Sequence, residues 1–216
     1  MPVIVLGGGI NGLAVTRNLG RNGIDVLCAD DKNDAVAFSR YCKRFFLVRR
    51  LQQSKDILRQ FLKNIKKTIP KYALLLPTTD LYSLYLADLK DELADRYYIQ
   101  SPNRKVVETL VNKKEFYQSL SKHRIPYPKT YFVQSIGDVE RVIGAIEYPV
   151  YLRPSVSQSF GLIFRRKGFV ARCAKELIKY YLLASKYNIE VMIQEIVSGG
   201  DENMFGIAGY FDRNSE

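Results

Sequence analysis

The strongest constraint on the fold is a glycine run, Gly7-Gly8-Gly9-Ile10-Asn11-Gly12, which directly follows the apolar stretch Val3 to Leu6 and opens an amphipathic segment. Apolar strand, glycine turn and helix make the start of a βαβ unit, and the GxGxxG spacing gives each glycine a task. Gly7 permits the tight turn, Gly9 the close approach of backbone to a phosphate, and Gly12 the packing of helix on strand. The helix N-terminus then offers free N–H groups to an anion. Asp30, at the end of the next apolar run, stands where an acid binds ribose in a dinucleotide enzyme. Taken alone, this pattern favours a nicotinamide or flavin cofactor.

The residues that follow repeat the arrangement. Asp25 to Ala29, Phe45 to Val48 and Ala73 to Leu76 are short and apolar, as expected of strands buried on both faces of a parallel sheet. Lys55 to Lys67 carries Leu58, Phe61, Leu62 and Ile65 at helical spacing, with Lys and Gln on the opposite face. Strand alternating with helix predicts a doubly wound α/β, Rossmann-like domain over residues 1–100. Ser101-Pro102-Asn103 then breaks the chain, and two helical stretches follow, one up to Leu110 and one from Lys113 to Lys122. In Ile125-Pro126-Tyr127-Pro128 each proline holds the preceding residue extended. Strands at Thr130 to Val133, Pro149 to Arg153, Glu190 to Ile196 and Met204 to Phe211, with a helix through Ala171 to Ser185, make residues 101–216 a second, α+β domain.

Composition narrows the partners. The formal charge is +11, with its densest stretch at Arg40, Lys43, Arg44, Arg49 and Arg50 and a shorter run at Arg165, Arg166 and Lys167. Dispersed as they are, these cations read as a solvated surface rather than a nucleic-acid patch. No apolar run approaches the roughly 20 residues of a membrane span, so the expectation is a cytoplasmic protein without a membrane partner. Cys28, Cys42 and Cys173 form no CxxC pair and read as buried small apolar residues, not as a metal or disulfide framework. The only histidine, His123, sits between Lys122 and Arg124, a poor setting for a general base.

Three segments in the second half change the functional reading. Asn112-Lys113-Lys114-Glu115-Phe116, followed by Arg124-Ile125-Pro126-Tyr127-Pro128-Lys129-Thr130, resembles the entry to the ATP-grasp fold. Tyr148-Pro149-Val150-Tyr151-Leu152-Arg153-Pro154, leading into Ser155-Val156-Ser157-Gln158-Ser159-Phe160-Gly161, resembles that family's phosphate strand and loop. Ile193-Gln194-Glu195-Ile196-Val197-Ser198-Gly199-Gly200-Asp201-Glu202 resembles its hinge and ribose segment. The order and spacing of all three, with the glycine turn ahead of them and the Leu76-Pro77-Thr78-Thr79-Asp80 loop, look most like the D-aspartate ligase-like and predicted carboligase members. Arg153 stands where lysine is usual, as in the first ATP-grasp of the carbamoyl phosphate synthetase large subunit.

The resemblance implies a Rossmann-like domain followed by the first part of an ATP-grasp domain in a carboxylate–amine ligase that uses ATP and Mg²⁺. Lys113 and Arg153 would approach the nucleotide phosphates from two sides, arginine adding a planar fork. The Ser155 to Gly161 loop would close over the phosphates as a flexible lid, with Ser155, Ser157, Ser159 and Gly161 contributing. Gln194, Glu195, Ile196 and Val197 would face adenine, and Glu202 the ribose. Gly8, Gly9, Asn11, Thr79 and Asp80 would lie on the side of small carboxylate and amine substrates, although Thr79 and Asp80 read first as a helix N-cap. The family's metal-binding acids and asparagine come from a strand beyond Asn214-Ser215-Glu216. The resemblance therefore assigns no catalytic residue or metal ligand, and it reads the chain as truncated or completed by a C-terminal partner polypeptide; it also leaves room for a homodimer. A nicotinamide oxidoreductase and a degenerate nucleotide-binding module without catalysis are the alternatives.

Overall fold

The computed structural model of the chain describes residues 1–65, 67–69, 72–207 and 209, with the side chains of all of these except Gln158 and Ser159. It divides into two compact units, Met1–Val111 and Asn112–Glu216.

The first unit is a parallel sheet between helices. Its strands are β1 (Val3–Leu6), β2 (Val26–Asp30), β3 (Cys42–Leu47), β4 (Ala73–Pro77) and β5 (Tyr97–Ile99). They lie in the order β3-β2-β1-β4-β5, every pair parallel. Helices α1 (Ile10–Arg21), α2 (Lys55–Ile65), α3 (Asp80–Leu89) and α4 (Arg104–Val111) complete it. Because side chains alternate along a strand, the all-apolar β1 feeds two cores at once. Ile4 and Leu6 pack with Leu58, Leu62, Leu86 and Leu89 of α2 and α3, while Val3 and Val5 pack with Val26 and Cys28 and against Val15 and Leu19 of α1. Compactness carries the first unit past the Ser101-Pro102-Asn103 break, because Arg104 at the head of α4 binds Asp88 at 2.8 Å and the Leu84 carbonyl at 3.2 Å on α3.

The sheet edge at β3 is polar. Lys43 and Arg44 are exposed, Lys43 pairs with Asp25 at 2.5 Å, and the Arg44 guanidinium lies over the Phe46 ring at 4.7 Å. The cysteines behave differently from one another. Cys28 is buried, and hydrogen bonding with Cys42 together with burial pushes its thiol up; Cys42 is half-buried. Cys173 is exposed at the start of a helix, which corrects the expectation that all three are buried.

The second unit is an antiparallel sheet in the order β6-β9-β7-β8, formed by β6 (Thr130–Phe132), β7 (Val150–Pro154), β8 (Phe169–Ala171) and β9 (Val191–Glu195). Helices α5 (Lys113–Lys122), α6 (Ile136–Ile143), α7 (Ser157–Phe164) and α8 (Ala174–Ser185) accompany it. The strands alternate cleanly. Val150 and Leu152 of β7 and Ile193 of β9 enter a core with Val139 of α6 and Leu177, Tyr181 and Ala184 of α8. Tyr151 and Arg153 take the other face, where Tyr151 lies opposite Gln194, itself opposite Thr130. One face of the sheet is thus the core, and the other carries polar groups.

Two expectations change here. The segment from Ser155 to Gly161 is not a loop throughout, since α7 begins at Ser157. Phe160 and Phe164, four residues apart and therefore on one helix face, approach at 4.6 Å, and Phe160 meets Phe169 at 5.2 Å, so aromatic packing fixes the segment as a helix. The strand expected over residues 204–211 is not formed by Met204 to Ile207, of which Met204, Phe205 and Ile207 are exposed. Residues 208, 210 and 211 of that segment lie outside the described residues.

Candidate functional site

In the first unit the strand order reverses between β1 and β4, and the crevice at their carboxyl ends is where open α/β sheets receive ligands. The glycine turn occupies it. Gly7 has φ +109°, and a Cβ on Gly12 would lie 1.9 Å from the Gly7 carbonyl oxygen, so both positions require glycine as the motif predicts. A cavity of about 460 Å³ at this point is lined by Gly9, Asn11, Asp34, Gln52, Thr78 and Thr79. It brings together three of the expected substrate-side residues. Gly8 instead packs toward Asp30, Asp34 and Val36, and Asp80 is exposed in the first turn of α3. Thr79 caps α3, its hydroxyl accepting from Tyr82 N at 3.3 Å. Thr79→Ala should cost about 1 kcal/mol of stability, measured as a shift in the denaturation midpoint.

Asp30 is held by several protein donors. Its carboxylate is 4% exposed, and Oδ2 accepts from Gly8 N at 2.5 Å. Oδ1 accepts from Asp31 N at 2.8 Å, Gln52 Nε2 at 2.9 Å and Tyr82 Oη at 3.2 Å. Four donors thus hold the acid against the glycine turn, β2 and α3, and Asp30 also lines the cavity. Burial, reinforced by the Asp30 charge, pushes the Tyr82 phenol well up, so it remains a donor. A short 3-10 turn, Ala35–Phe38, also covers the glycine turn, with Val36 N donating to Gly8 O at 3.2 Å.

In the second unit Lys113, Ser155 and Ser157 lie at the carboxyl end of β7, which carries Arg153, whereas Glu195 pairs with Val150 at its amino end. Asn112 caps α5 by accepting from Lys114 N at 3.0 Å. Lys113, the first residue of the helix, donates its backbone N–H to Ser155 O at 2.8 Å and its ammonium to Ser157 Oγ at 3.0 Å. One turn further along the same face, Tyr117 reaches Arg153, whose Nη1 donates to Tyr117 Oη at 3.2 Å and to Gln194 Oε1 at 3.0 Å. Lys113, Ser157 and Arg153 are therefore neighbours of the same stretch of chain. The Nε of Arg153 is buried without a partner among the described residues, an orphan donor beside this polar face.

Adjacent groups are committed to structure. Lys114, not Lys113, pairs with Glu190 and holds that carboxyl below the usual range. Ser155 is 2% exposed and ties strands and helix together through its backbone, its N–H reaching Glu190 O at 3.0 Å. Gln194, 5% exposed, turns its side chain to Arg153 and Thr130. Glu195 accepts from Lys129 N at 2.7 Å, while Ile196 and Val197 are exposed. Glu202 lies exposed in the 3-10 turn Asp201–Asn203. Gly161 is inside α7 with open space where a Cβ would stand, and the Ser159 side chain lies outside the described ones. The sequence motifs give no site role to Tyr117 or Thr130, although the four-residue step from Lys113 places Tyr117 on the same helix face.

No family model matches the chain. A D-aspartate ligase of Enterococcus faecium (strain Aus0004) is 28% identical over 155 residues, covering 68% of this chain and 37% of that protein. The N5-carboxyaminoimidazole synthetase of Staphylococcus aureus, solved with ADP, superposes with a TM-score of 0.67 at 14% identity, over 91% of this chain and 47% of that one. The chain has the fold of the N-terminal part of ATP-grasp enzymes. A further ATP-grasp fold, the biotin carboxylase domain of Hydrogenobacter thermophilus 2-oxoglutarate carboxylase in complex with MgADP, matches with a TM-score of 0.62 at 13% identity, over 90% of this chain and 44% of that one. The chain spans less than half the length of each of these proteins. Among its described residues no group of three or more His, Cys, Asp or Glu could hold a metal ion, and no helix is long and apolar enough to cross a membrane.

Proposed function

We propose that the chain is the ATP-binding portion of an ATP-dependent carboxylate–amine ligase. The observation that supports this most directly is that Lys113 of α5 meets Ser157 while Tyr117, one turn further along α5, meets Arg153, which also binds Gln194. Two cations and a hydroxyl in that setting suit a polyphosphate, and the buried Arg153 Nε has no partner among the described residues. Lys113 and Arg153 hold the phosphates, the α7 start closes on them through Ser157, and the backbone of Ile196 and Val197 receives adenine, with Glu202 toward the ribose. Mg²⁺ enters on the nucleotide, since the described residues build no site for it alone.

ATP supplies the γ-phosphoryl group that converts a carboxylate into an acyl phosphate, which an amine then attacks. The task of this chain is positioning and charge neutralisation. The cavity at Gly9, Asn11 and Thr79 is the place for a small carboxylate or amine. In this reading residues 1–100 form the Rossmann-like domain, residues 101–216 begin the ATP-grasp domain, and a further segment or partner polypeptide supplies the metal-binding residues.

Calorimetric titration with Mg-ATP, and separately with NADH, tests the proposal. Saturable binding of Mg-ATP is expected, weakened at least about tenfold by Arg153→Ala through loss of a charge-assisted contact, with no heat from NADH. Binding of NADH without ATP would overturn it in favour of a dinucleotide enzyme.

A further inference from the structure

The hydrogen-bond directions around Arg153 assign a role to a residue outside the motif matches. A guanidinium can only donate, so in the 3.2 Å contact between Arg153 Nη1 and Tyr117 Oη the phenol is the acceptor. Its own proton must therefore point elsewhere. Among the described residues the Tyr117 hydroxyl has Arg153 as its only hydrogen-bond partner, and that proton has no protein acceptor.

The rest of the network leaves no alternative arrangement of these donors. Thr130 Oγ1 donates to Pro128 O at 2.6 Å, so it must accept from Gln194 Nε2 at 2.8 Å. That sets the Gln194 amide with its oxygen toward Arg153, which it meets at 3.0 Å. Both protons of Nη1 are then spent, one on Gln194 and one on Tyr117. The ring that carries the hydroxyl is equally restrained. It stacks on Tyr127 with centroids 5.4 Å apart and planes at 26°, and Tyr127 is held between Pro126 and Pro128. Accepting from a cation polarises the phenol and makes its O–H a stronger donor.

We infer that Tyr117 is a direct phosphate ligand of the nucleotide site, its hydroxyl donating to a phosphate oxygen alongside Arg153 while Lys113, one turn earlier on α5, neutralises charge. This rests on the ATP-binding reading above. It adds a neutral, directional donor to the two cations, and it makes α5 a helix that contributes two phosphate groups' worth of contacts from one face, through Lys113 and Tyr117.

The test is the affinity of Tyr117→Phe for Mg-ATP, tripolyphosphate and adenosine, measured by calorimetry in the parent background and in Arg153→Lys. Phenylalanine keeps the ring and its stack on Tyr127, so the thermal midpoint should be retained. The expected result is a loss of about fivefold to tenfold for Mg-ATP and for tripolyphosphate in both backgrounds, with adenosine unchanged. If the loss disappears in Arg153→Lys, Tyr117 acts only by positioning the arginine and the inference fails. An equal loss for adenosine would likewise overturn it, by showing a general structural effect. Parent chain that binds neither Mg-ATP nor tripolyphosphate would overturn the ATP-binding reading itself, whereas parent binding untouched by Tyr117→Phe would overturn the Tyr117 assignment alone.

Discussion

Gly12→Ala should lower the stability of the first unit by about 3 kcal/mol or more, because the new methyl group would stand 1.9 Å from the Gly7 carbonyl oxygen. The obstacle is backbone, so no side-chain rotation relieves it. Either α1 lifts from β1 or the glycine turn moves, and the turn is anchored by the Gly8 N–H to Asp30 contact and by Thr78 N, which donates to Leu6 O at 3.0 Å. Guanidinium denaturation, followed together with hydrogen exchange of the Val3 to Leu6 amides, would measure the effect. A midpoint unchanged by the substitution would mean that the helix and turn are not packed as closely as described.

The second large effect is expected at Phe160. Its side chain is fully buried among Phe164 and Phe169, and Phe169 stacks in turn on Tyr180 with centroids 4.7 Å apart. Phe160→Ala removes a fully buried ring of this cluster and should cost about 3 to 5 kcal/mol. The same ring holds α7 in place, and α7 begins with the Ser157 hydroxyl that meets Lys113. Loss of stability should therefore be accompanied by weaker Mg-ATP binding at temperatures where the variant is still folded. A stable variant with weakened binding, or an unstable one with full affinity, would separate the two roles assigned to this helix.

Much of the first sheet could be read from the chain because its central strands are buried on both faces and so appear as continuous apolar runs. At β3 this fails: the expected Phe45 to Val48 captures only the end of Cys42–Leu47, since Lys43 and Arg44 face solvent at the sheet edge. β5 and β8 are three residues each, too short for any periodicity to register. α6 went unread although its start is written locally, with Ser135 and Asp138 forming a reciprocal capping box. In α7 the serines suggested a loop, and only the pairing of Phe160 with the distant Phe169 decides for a helix.

The site divides in the same way. Lys113 and Arg153 stand out because their positions match motifs, which are local. The Tyr117, Arg153, Gln194 and Thr130 network depends on the antiparallel register that sets Thr130 and Tyr151 opposite Gln194, and register is a property of the fold. Asp30 shows the converse: its place after β2 follows from the motif, but donors that hold it come from Gln52 and Tyr82, far along the chain.

The strand order has a consequence for how the chain acquires its structure in time. β1 lies at the centre of its sheet, and its second neighbour pairs Val3 with Leu74 and Leu6 with Pro77. At synthesis rates of about 5–20 residues per second, β4 follows β1 off the ribosome by roughly 4 to 14 seconds. Until then β1 is the edge strand of a sheet in the order β3-β2-β1, and its Val3, Ile4, Val5 and Leu6 stay open to unwanted association. Closing so long a loop also makes refolding slower than for a helical bundle of this size. β1 is thus made well before the strand that completes its protection.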